Sequence, residues 1–388
     1  MFKDYIKKIL SNKRSNEFKK ASDNNFFHHI TEDFFAQGEQ SSNNRYMRNV
    51  IVYKCVNLIA AAASHVPWVM HNNTMSDTIL KLLKRPNPGQ GGAEFFSNVI
   101  SSKLLFGNSY ILSVSSLDNK VKELYILDHD KVSLINNGKA TIAYKYNNGT
   151  TEKIYRIDFA SKQSQILHLK NYNPNDNFIG LSCLAPAKNS IDLHDKASSW
   201  NNSLLDNGAR PSGALIVKDG NYLSDEQFER LKEQLYEKYS GSKSSGKPML
   251  LEGGLSWQEM SISPKDMDFI ESKNCAAREI ALAFGVPPQL LGIVGDNTYS
   301  NMQEARLALW EETIIPLLDY IADAMSNWLS YWYQQEIILE FDLDAISALT
   351  QRRENLWAKV ATANFMTLNE KRKQVGLKPI KDGDRLWD

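Results

Sequence analysis

Gly285-Val286-Pro287-Pro288 divides two long stretches of helical periodicity, and no other feature restricts the possible folds of this chain as much. Upstream, Ser263 stands as N-cap, Pro264 at the first helical position and Asp266 near the positive end of the helix dipole. Met267, Ile270, Ala277, Ala281 and Phe284 recur at three- and four-residue steps, which predicts one apolar stripe lying along a neighbour. Gly285 supplies a C-cap, and two successive prolines remove amide donors that a longer helix needs. After Leu290-Leu291-Gly292 comes a stretch from Val294 to Asn301, rich in Gly, Asn and Asp and poor in apolar residues, which reads as a projecting loop. A second helix is expected from about Met302 to Tyr333, bent at Pro316. Two helices with a forced stop and a polar finger between them form a lever rather than a catalytic site.

Other segments give this unit a frame. Residues 1–44 are rich in Asn, Ser and Lys and read as a loose arm. Helical spacing runs from Tyr46 to Ser64, from Ile79 to Leu83 and from Ala93 to Leu105, with the breaker Arg85-Pro86-Asn87-Pro88-Gly89 between the last two. Between 109 and 170 the period changes to short β-branched and aromatic runs, at 109–115, 121–127, 132–135, 142–146, 152–157 and 166–169, separated by Asn- and Gly-rich turns. A long helix is expected from Ser182 to Asn207, with Leu184, Ala187, Ile191, His194 and Ala197 on one face. A β-α-β insert follows: strand 214–217, helix 224–239 opened by the capping box Ser224-Asp225-Glu226-Gln227, and strand 248–251. Strand 337–341 and a helical tail from Ala345 complete the reading.

Composition narrows the function classes. The chain has 388 residues, enough for a large core or several subdomains, with 45 Lys and Arg against 45 Asp and Glu. A protein that holds nucleic acid tightly by counterion release usually shows a basic excess, and the whole chain has none. Cys55, Cys183 and Cys275 lack paired spacing, so neither a disulfide framework nor a zinc site is indicated. All three fall in apolar helical patterns and read as buried and inert. Charges interrupt residues 1–10 too often for a signal peptide, and 50–70 contains Lys54, Asn57, His65 and Pro67, so no membrane span is expected.

Motif chemistry is sparse. Gly241 to Lys247 matches the first part of a phosphate-binding loop, yet Pro248 replaces the Mg²⁺-binding hydroxyl and the flanking elements are in the wrong order, so it reads as a flexible loop. The histidines, including the adjacent His28 and His29, form no metal constellation, and Asp128-His129-Asp130 reads as a turn between strands rather than a dyad. Trp310, Trp328, Tyr331 and Trp332 at helical spacing fit a core or a subunit interface better than a base-stacking platform. No catalytic residues, metal or cofactor are expected.

In order and spacing, several segments together resemble the HK97 family of phage portal proteins from about residue 45 to the C-terminus. They are Arg85-Pro86-Asn87-Pro88 with Phe95-Phe96; Leu105-Phe106-Gly107-Asn108-Ser109-Tyr110; Ile166-Leu167-His168 with Gly180-Leu181-Ser182 and Leu184; Asn207 to Gly213; Glu279-Ile280-Ala281 with Phe284 to Pro288 and Leu290-Leu291-Gly292; and Leu368-Asn369-Glu370 near Gly376-Leu377. The resemblance implies an α+β portal-protein fold: an α/β wing at 45–181 after the flexible arm 1–44, paired stem helices at 182–210 and 263–285, and a small β-α-β clip at 211–262. A tunnel-loop region at 286–301, a long kinked helix with a wing strand at 302–344 and a short helical crown at 345–388 complete it. It implies a ring, usually of twelve subunits, at one capsid vertex, carrying double-stranded DNA without sequence specificity. The implied partners are the terminase large subunit, a head-to-tail adaptor, the major capsid protein and scaffold, with no membrane. The implied location is the virion, after assembly in the cytoplasm of the host bacterium.

On this reading Asp296, Asn297, Thr298, Tyr299, Ser300 and Asn301 line the tunnel, and Gly285, Pro287, Pro288, Gly292 and Gly295 form the hinge of the tunnel loop. A loop that offers hydrogen bonds without cationic charge touches the DNA backbone without braking it. Two rivals stand beside it: a DNA-processing enzyme of a phage or mobile element, marked by metal- or nucleotide-dependent turnover, and the same structural role in a gene transfer agent or degenerate prophage.

Overall fold

The computed structural model describes residues 45–70, 76–115, 120–206, 213–217, 224, 226–227, 229–230, 255–259, 269–293 and 299–385. They belong to two compact units, one comprising residues up to Leu184 together with those from Thr298 onward, the other Ala185–Asn297.

The first unit begins with helix α1 (Val50–Ser64), whose N-cap Asn49 accepts hydrogen bonds from the Ile51 and Val52 amides. Its face of Val52, Cys55, Val56, Ile59, Ala60 and Ala63 is buried; burial pushes the Cys55 thiol up to about 12, so it stays protonated and inert. Strand β1 (Trp68–Met70) pairs antiparallel with the distant β10 (Leu339–Phe341), and the Trp68 ring lies 3.9 Å from that of Phe341 and 5.1 Å from Phe96. Helix α2 (Ser76–Lys84) leads to the proline breaker, which is bonded to the next sheet: the Leu124 amide donates to Pro86 O at 2.7 Å, and Asn87 Nδ2 donates to Leu124 O at 3.0 Å.

Helix α3 (Gly92–Phe106) feeds β2 (Asn108–Ser115), the centre of a sheet ordered β3-β2-β7, with β3 at Val121–Leu127 and β7 at Ile166–Lys170. A second sheet, β4-β5-β6, is formed by Val132–Asn136, Thr141–Asn147 and Glu152–Arg156. Tyr110, Leu127, Tyr144, Tyr155 and Ile166 make the core cluster of these strands. The turn at 128–130 is a short 3₁₀ turn as expected, but its His129 ring stacks on Phe106 at 4.9 Å and so contributes to packing.

Asn108 holds this region together. It is fully buried, and its carboxamide accepts from the Gly180 amide at 2.7 Å and pairs with His168 Nε2 at 2.9 Å. Its Nδ2 donates to Phe106 O at 2.9 Å and to Gly180 O at 3.1 Å. Gly180 crosses the chain so closely that a Cβ there would lie 2.1 Å from Gly107 O, which no side chain tolerates. The Asn171 amide donates to the same Gly107 O at 2.8 Å. Segments separated by more than 70 positions are thereby fixed at one point.

The second half of this unit contains α6 (Tyr299–Ala308), a π turn at Leu309–Ile314 and α7 (Ile315–Tyr333). Trp328 and Trp332 both donate their indole N–H to Ser164 O, at 2.8 and 3.1 Å, so these aromatics serve the core. The Tyr320 hydroxyl accepts from the Lys170 amide and donates to Lys170 O, which clips α7 to the end of β7. Buried Lys103 lies over the Tyr320 ring at 4.8 Å and bonds to Asn171; burial holds its pKa down. Helices α8 (Ser347–Ala361) and α9 (Leu368–Gln374) follow.

In the second unit, α4 (Lys188–Asp206) packs on α5 (Phe269–Ala283), with Ser190 Oγ donating to Glu279 at 2.5 Å. His194 is buried with these helices, and burial first, then Lys273, lowers its pKa. Strand β8 (Gly213–Val217) pairs antiparallel with β9 (Leu255–Glu259). The capping box at Ser224 is present, with Ser224 N donating to Gln227 Oε1 at 3.0 Å and Gln227 N to Ser224 Oγ at 3.3 Å.

Four expectations change. The helix expected from Ser182 starts at Lys188: Ser182 Oγ is engaged with Leu105 O, and Pro186 brings no amide to an earlier turn. Ile270 is 77% exposed, so the stripe of α5 is Ala276, Ala277, Ile280, Ala281 and Phe284, and the apolar face extends past its covered stretch. Cys275 is exposed and Cys183 lies outside any helix, partly exposed, so only Cys55 is the buried helical thiol expected. Strand β9 was not anticipated, although Leu255-Ser256-Trp257-Gln258 alternates apolar and polar. The expected strand 248–251, the loop 241–247, Ser263, Pro264, Asp266, Met267 and the arm 1–44 with His28 and His29 lie outside the described residues.

Asn108→Ala is expected to lower unfolding free energy by about 2–4 kcal/mol in urea titrations, because both Gly180 backbone groups lose their partner in a dry site. Burial, reinforced by Lys170 and His129, depresses the His168 pKa to about 3, below its usual 6.5. Its stabilising contribution is therefore complete above about pH 6.5 and is lost as pH falls toward 3, because the unfolded imidazole takes a proton that the folded one refuses. The slope attributable to it is at most about 1.4 kcal/mol per pH unit, and His168→Gln is expected to flatten it in urea midpoints measured from pH 7 to 4.

Candidate functional site

The candidate site expected from the sequence falls in two parts, the turn segment that follows α5 and the first turn of α6. Helix α5 ends in a Schellman arrangement: the Gly285 amide donates to Leu282 O at 3.0 Å and the Val286 amide to Ala281 O at 2.9 Å. Gly285 takes φ +69°, and Val286 and Ala281 are both buried. Pro287 is extended, at φ −58° and ψ 128°, and cannot return the chain to the helix. Pro288 opens one separate 3₁₀ turn, Pro288–Leu291, closed by Gly292 in the left-handed region at φ +77°. Ile293 is then buried.

The finger is shorter than the sequence implied. Tyr299, Ser300 and Asn301, expected in the loop, form the first turn of α6, with Asn301 exposed. Their helical conformation follows from the residues after them, since Met302, Ala305 and Leu309 supply a covered face that extends the helix backward. Asp296, Asn297, Thr298 and Gly295 lie outside the described residues. Of the eleven residues singled out, Gly285, Pro287, Pro288 and Gly292 stand together in the turn segment after α5, and Tyr299 to Asn301 stand at the start of α6.

Beyond it the helix is not uniformly α. Pro316 cannot donate to the carbonyl four residues back, and the chain accommodates this by widening residues 309–314 into a π turn, where the Ile315 amide donates to Trp310 O. The expected bend is thus a change of helical register just before Pro316. From 299 to 333 the exposed charges are Glu304, Glu311, Glu312, Asp319 and Asp323, against Arg306 alone. This acidic surface was missed, although a charge count along the helix would have revealed it. Such a surface repels phosphate and does not hold it. Among the described residues no group of three or more His, Cys, Asp or Glu is placed to hold a metal ion, and no helix is long and apolar enough to cross a membrane.

Comparison with known proteins defines the class. The family model for phage portal proteins matches residues 50–376. A Rickettsia bellii protein is 65% identical over 88% of this chain and 90% of its own length. The portal protein of Enterobacteria phage HK97 is 24% identical over 89% of this chain and 83% of its own. Among solved structures, the neck of a native gene transfer agent particle, computed with C12 symmetry, contains a chain 40% identical with a TM-score of 0.66, covering 86% of this chain and 91% of that one. The α+β fold resembles that of this neck chain. The chain belongs to the phage portal protein family.

Gly292→Val is expected to cost about 1–2 kcal/mol through left-handed backbone strain, and Gly292→Asn distinctly less, in thermal melts of the two variants.

Proposed function

We propose that the chain assembles into a ring of twelve subunits at one vertex of a capsid and acts as the channel for double-stranded DNA during packaging and release. The observation that carries this reading is the 40% identity to a chain in a neck computed with C12 symmetry, over most of both chains. Head-to-tail contacts closing by rotation build such a ring. On this reading residues 45–181 form the wing, α4 and α5 the paired stem helices, 211–262 the clip that docks the terminase large subunit and later the head-to-tail adaptor, and 345–388 the crown. The major capsid protein and scaffold surround the ring, which assembles in the host cytoplasm and remains in the virion. The protein works without a catalytic step.

Asp296, Asn297, Thr298, Tyr299, Ser300 and Asn301 approach the axis, with the hinge at Gly285, Pro287, Pro288, Gly292 and Gly295 setting their reach. A duplex that has to slide is served by weak, sequence-independent contacts, and the acidic exposed surface of α6 and α7 supports such a low grip. Because α6 starts at Tyr299, Tyr299, Ser300 and Asn301 belong to the first turn of that helix.

Electron microscopy of the purified protein, with and without scaffold and capsid protein, is expected to show rings with an axial channel, narrowest at residues 294–301. Monomers under every condition would overturn the portal reading. A ring with this segment on its outer surface would overturn the tunnel assignment alone.

A further inference from the structure

The chain is neutral overall, yet its charge is unevenly placed. From Ala345 to Asp388 there are nine Lys and Arg against five Asp and Glu, so this short C-terminal region is basic while the remainder is acidic. The imbalance sharpens at α9 and the turn segment after it, where Lys371, Arg372, Lys373, Lys378, Lys381 and Arg385 stand against only Glu370, Asp382 and Asp384.

Two of those three carboxylates are already engaged. Glu370 Oε2 accepts from the Thr367 amide at 2.7 Å and from its hydroxyl at 3.0 Å, closing the capping box of α9, and these bonds lower its pKa. Asp384 Oδ1 accepts from Asn369 Nδ2 at 2.9 Å. None of Lys373, Lys378, Lys381 and Arg385 is in an ion pair with a carboxylate among the described residues, and all four are exposed.

These cations sit on a fixed support. Asn369 accepts from the Ile380 amide at 2.8 Å, donates to Ile380 O at 3.0 Å, and through its own amide donates to Gly383 O at 2.8 Å, folding residues 380–384 against α9. Arg372 Nε donates to Lys378 O and the Leu377 amide to Arg372 O, both at 2.8 Å, which holds Lys378 beside the same helix. Lys371 Nζ reaches Ala361 O at the end of α8 at 3.4 Å. An array of long cations on a hydrogen-bonded scaffold suits a regularly spaced polyanion and loses less ordering entropy on binding.

We propose that this C-terminal surface docks the phosphate backbone of duplex DNA, with Lys373, Lys378, Lys381 and Arg385 as the contacting cations. The recognition is electrostatic and indifferent to sequence, because the helix that carries Lys373, α9, has only seven residues, Leu368–Gln374, and the other contacting cations lie in the turn segment after it. A membrane surface fits less well, since α9 has only Leu368 and no apolar face to insert, and the exposed Phe365, Leu377 and Ile380 lie in the connecting segments. The surface has the opposite character to α6 and α7: it retains DNA where the acidic helices let it slide. The inference stands on this chain's charge placement and does not require that a ring be formed.

The test is fluorescence anisotropy of the full-length protein with a mixed-sequence duplex of about 30 base pairs, at several NaCl concentrations between about 50 and 200 mM. Wild-type affinity is expected to fall steeply with salt. K373E/K378E/K381E is expected to bind at least about tenfold more weakly at the lowest salt, with a log–log salt slope shallower by roughly three, whereas K373R/K378R/K381R keeps both. A thermal midpoint equal to wild type shows the reversed variant to be folded, and K373Q/K378Q/K381Q replaces it otherwise. Wild-type affinity and slope in the reversed variant would overturn the proposal, as would wild-type protein that ignores duplex or prefers phosphatidylglycerol vesicles or polyglutamate. Ring formation is scored separately by electron microscopy. Intact rings with unchanged DNA affinity reject this surface alone, and a DNA-binding defect in a protein that never forms rings rejects only the portal reading.

Discussion

A single buried carboxamide organises the larger unit. Asn108 is the first residue of β2, at the seam where a helix becomes a strand, and it uses both its donor and its acceptor on groups far away in the chain. Burying an amide is costly unless its hydrogen bonds are met, so a site like this is stable only when all of its partners are in place. That makes it selective: Phe106, His168 and Gly180 are either all correctly placed or the carboxamide is stranded. The close crossing of Gly107 and Gly180 brings the chains near enough for those bonds. The proline breaker at 85–88 then bonds to β3, the Trp328 and Trp332 indoles to the turn before β7, and Tyr320 to its end, so the helices are fastened to the sheet that Asn108 sets.

This explains why so much of the unit could be read from residues alone. Short β-branched and aromatic runs at 121–127 and 132–135 and the helical spacing of α3 mark elements that stand within a residue of where the patterns put them, while α1 ends at Ser64 as expected but begins at Val50 rather than Tyr46. The motifs behind the family resemblance, 105–110, 166–168 and 180–184, converge at Asn108, which gives their order and spacing a physical cause. Their convergence was not legible, because a hydrogen bond spanning 72 positions leaves no period in the sequence.

The candidate site was legible at one end only. Gly285, Pro287 and Gly292 declare themselves by backbone chemistry, since positive φ and a missing amide are properties of the residue itself. The boundary of the finger was misread because Tyr299, Ser300 and Asn301 have loop-like composition but are drawn into α6 by the covered residues that follow. The true start of α4 was hidden in a similar way: Leu184 and Ala187 keep helical spacing and are buried, yet the chain there forms a bonded turn. Burial pattern identifies what is covered, while the conformation that covers it depends on tertiary bonds such as that from Ser182 to Leu105.

The π turn before Pro316 has a consequence for descent. A π turn holds one residue more than the α-helix it interrupts, and an α-helix rotates by about 100° per residue. Loss of one codon within 309–314 would close that turn, and α6 would swing by roughly that angle about the axis of α7, redirecting everything attached to its first residue. A single-residue insertion or deletion in this stretch is therefore a coarse adjustment available to evolution, one that turns α6 about its axis without altering any residue in it.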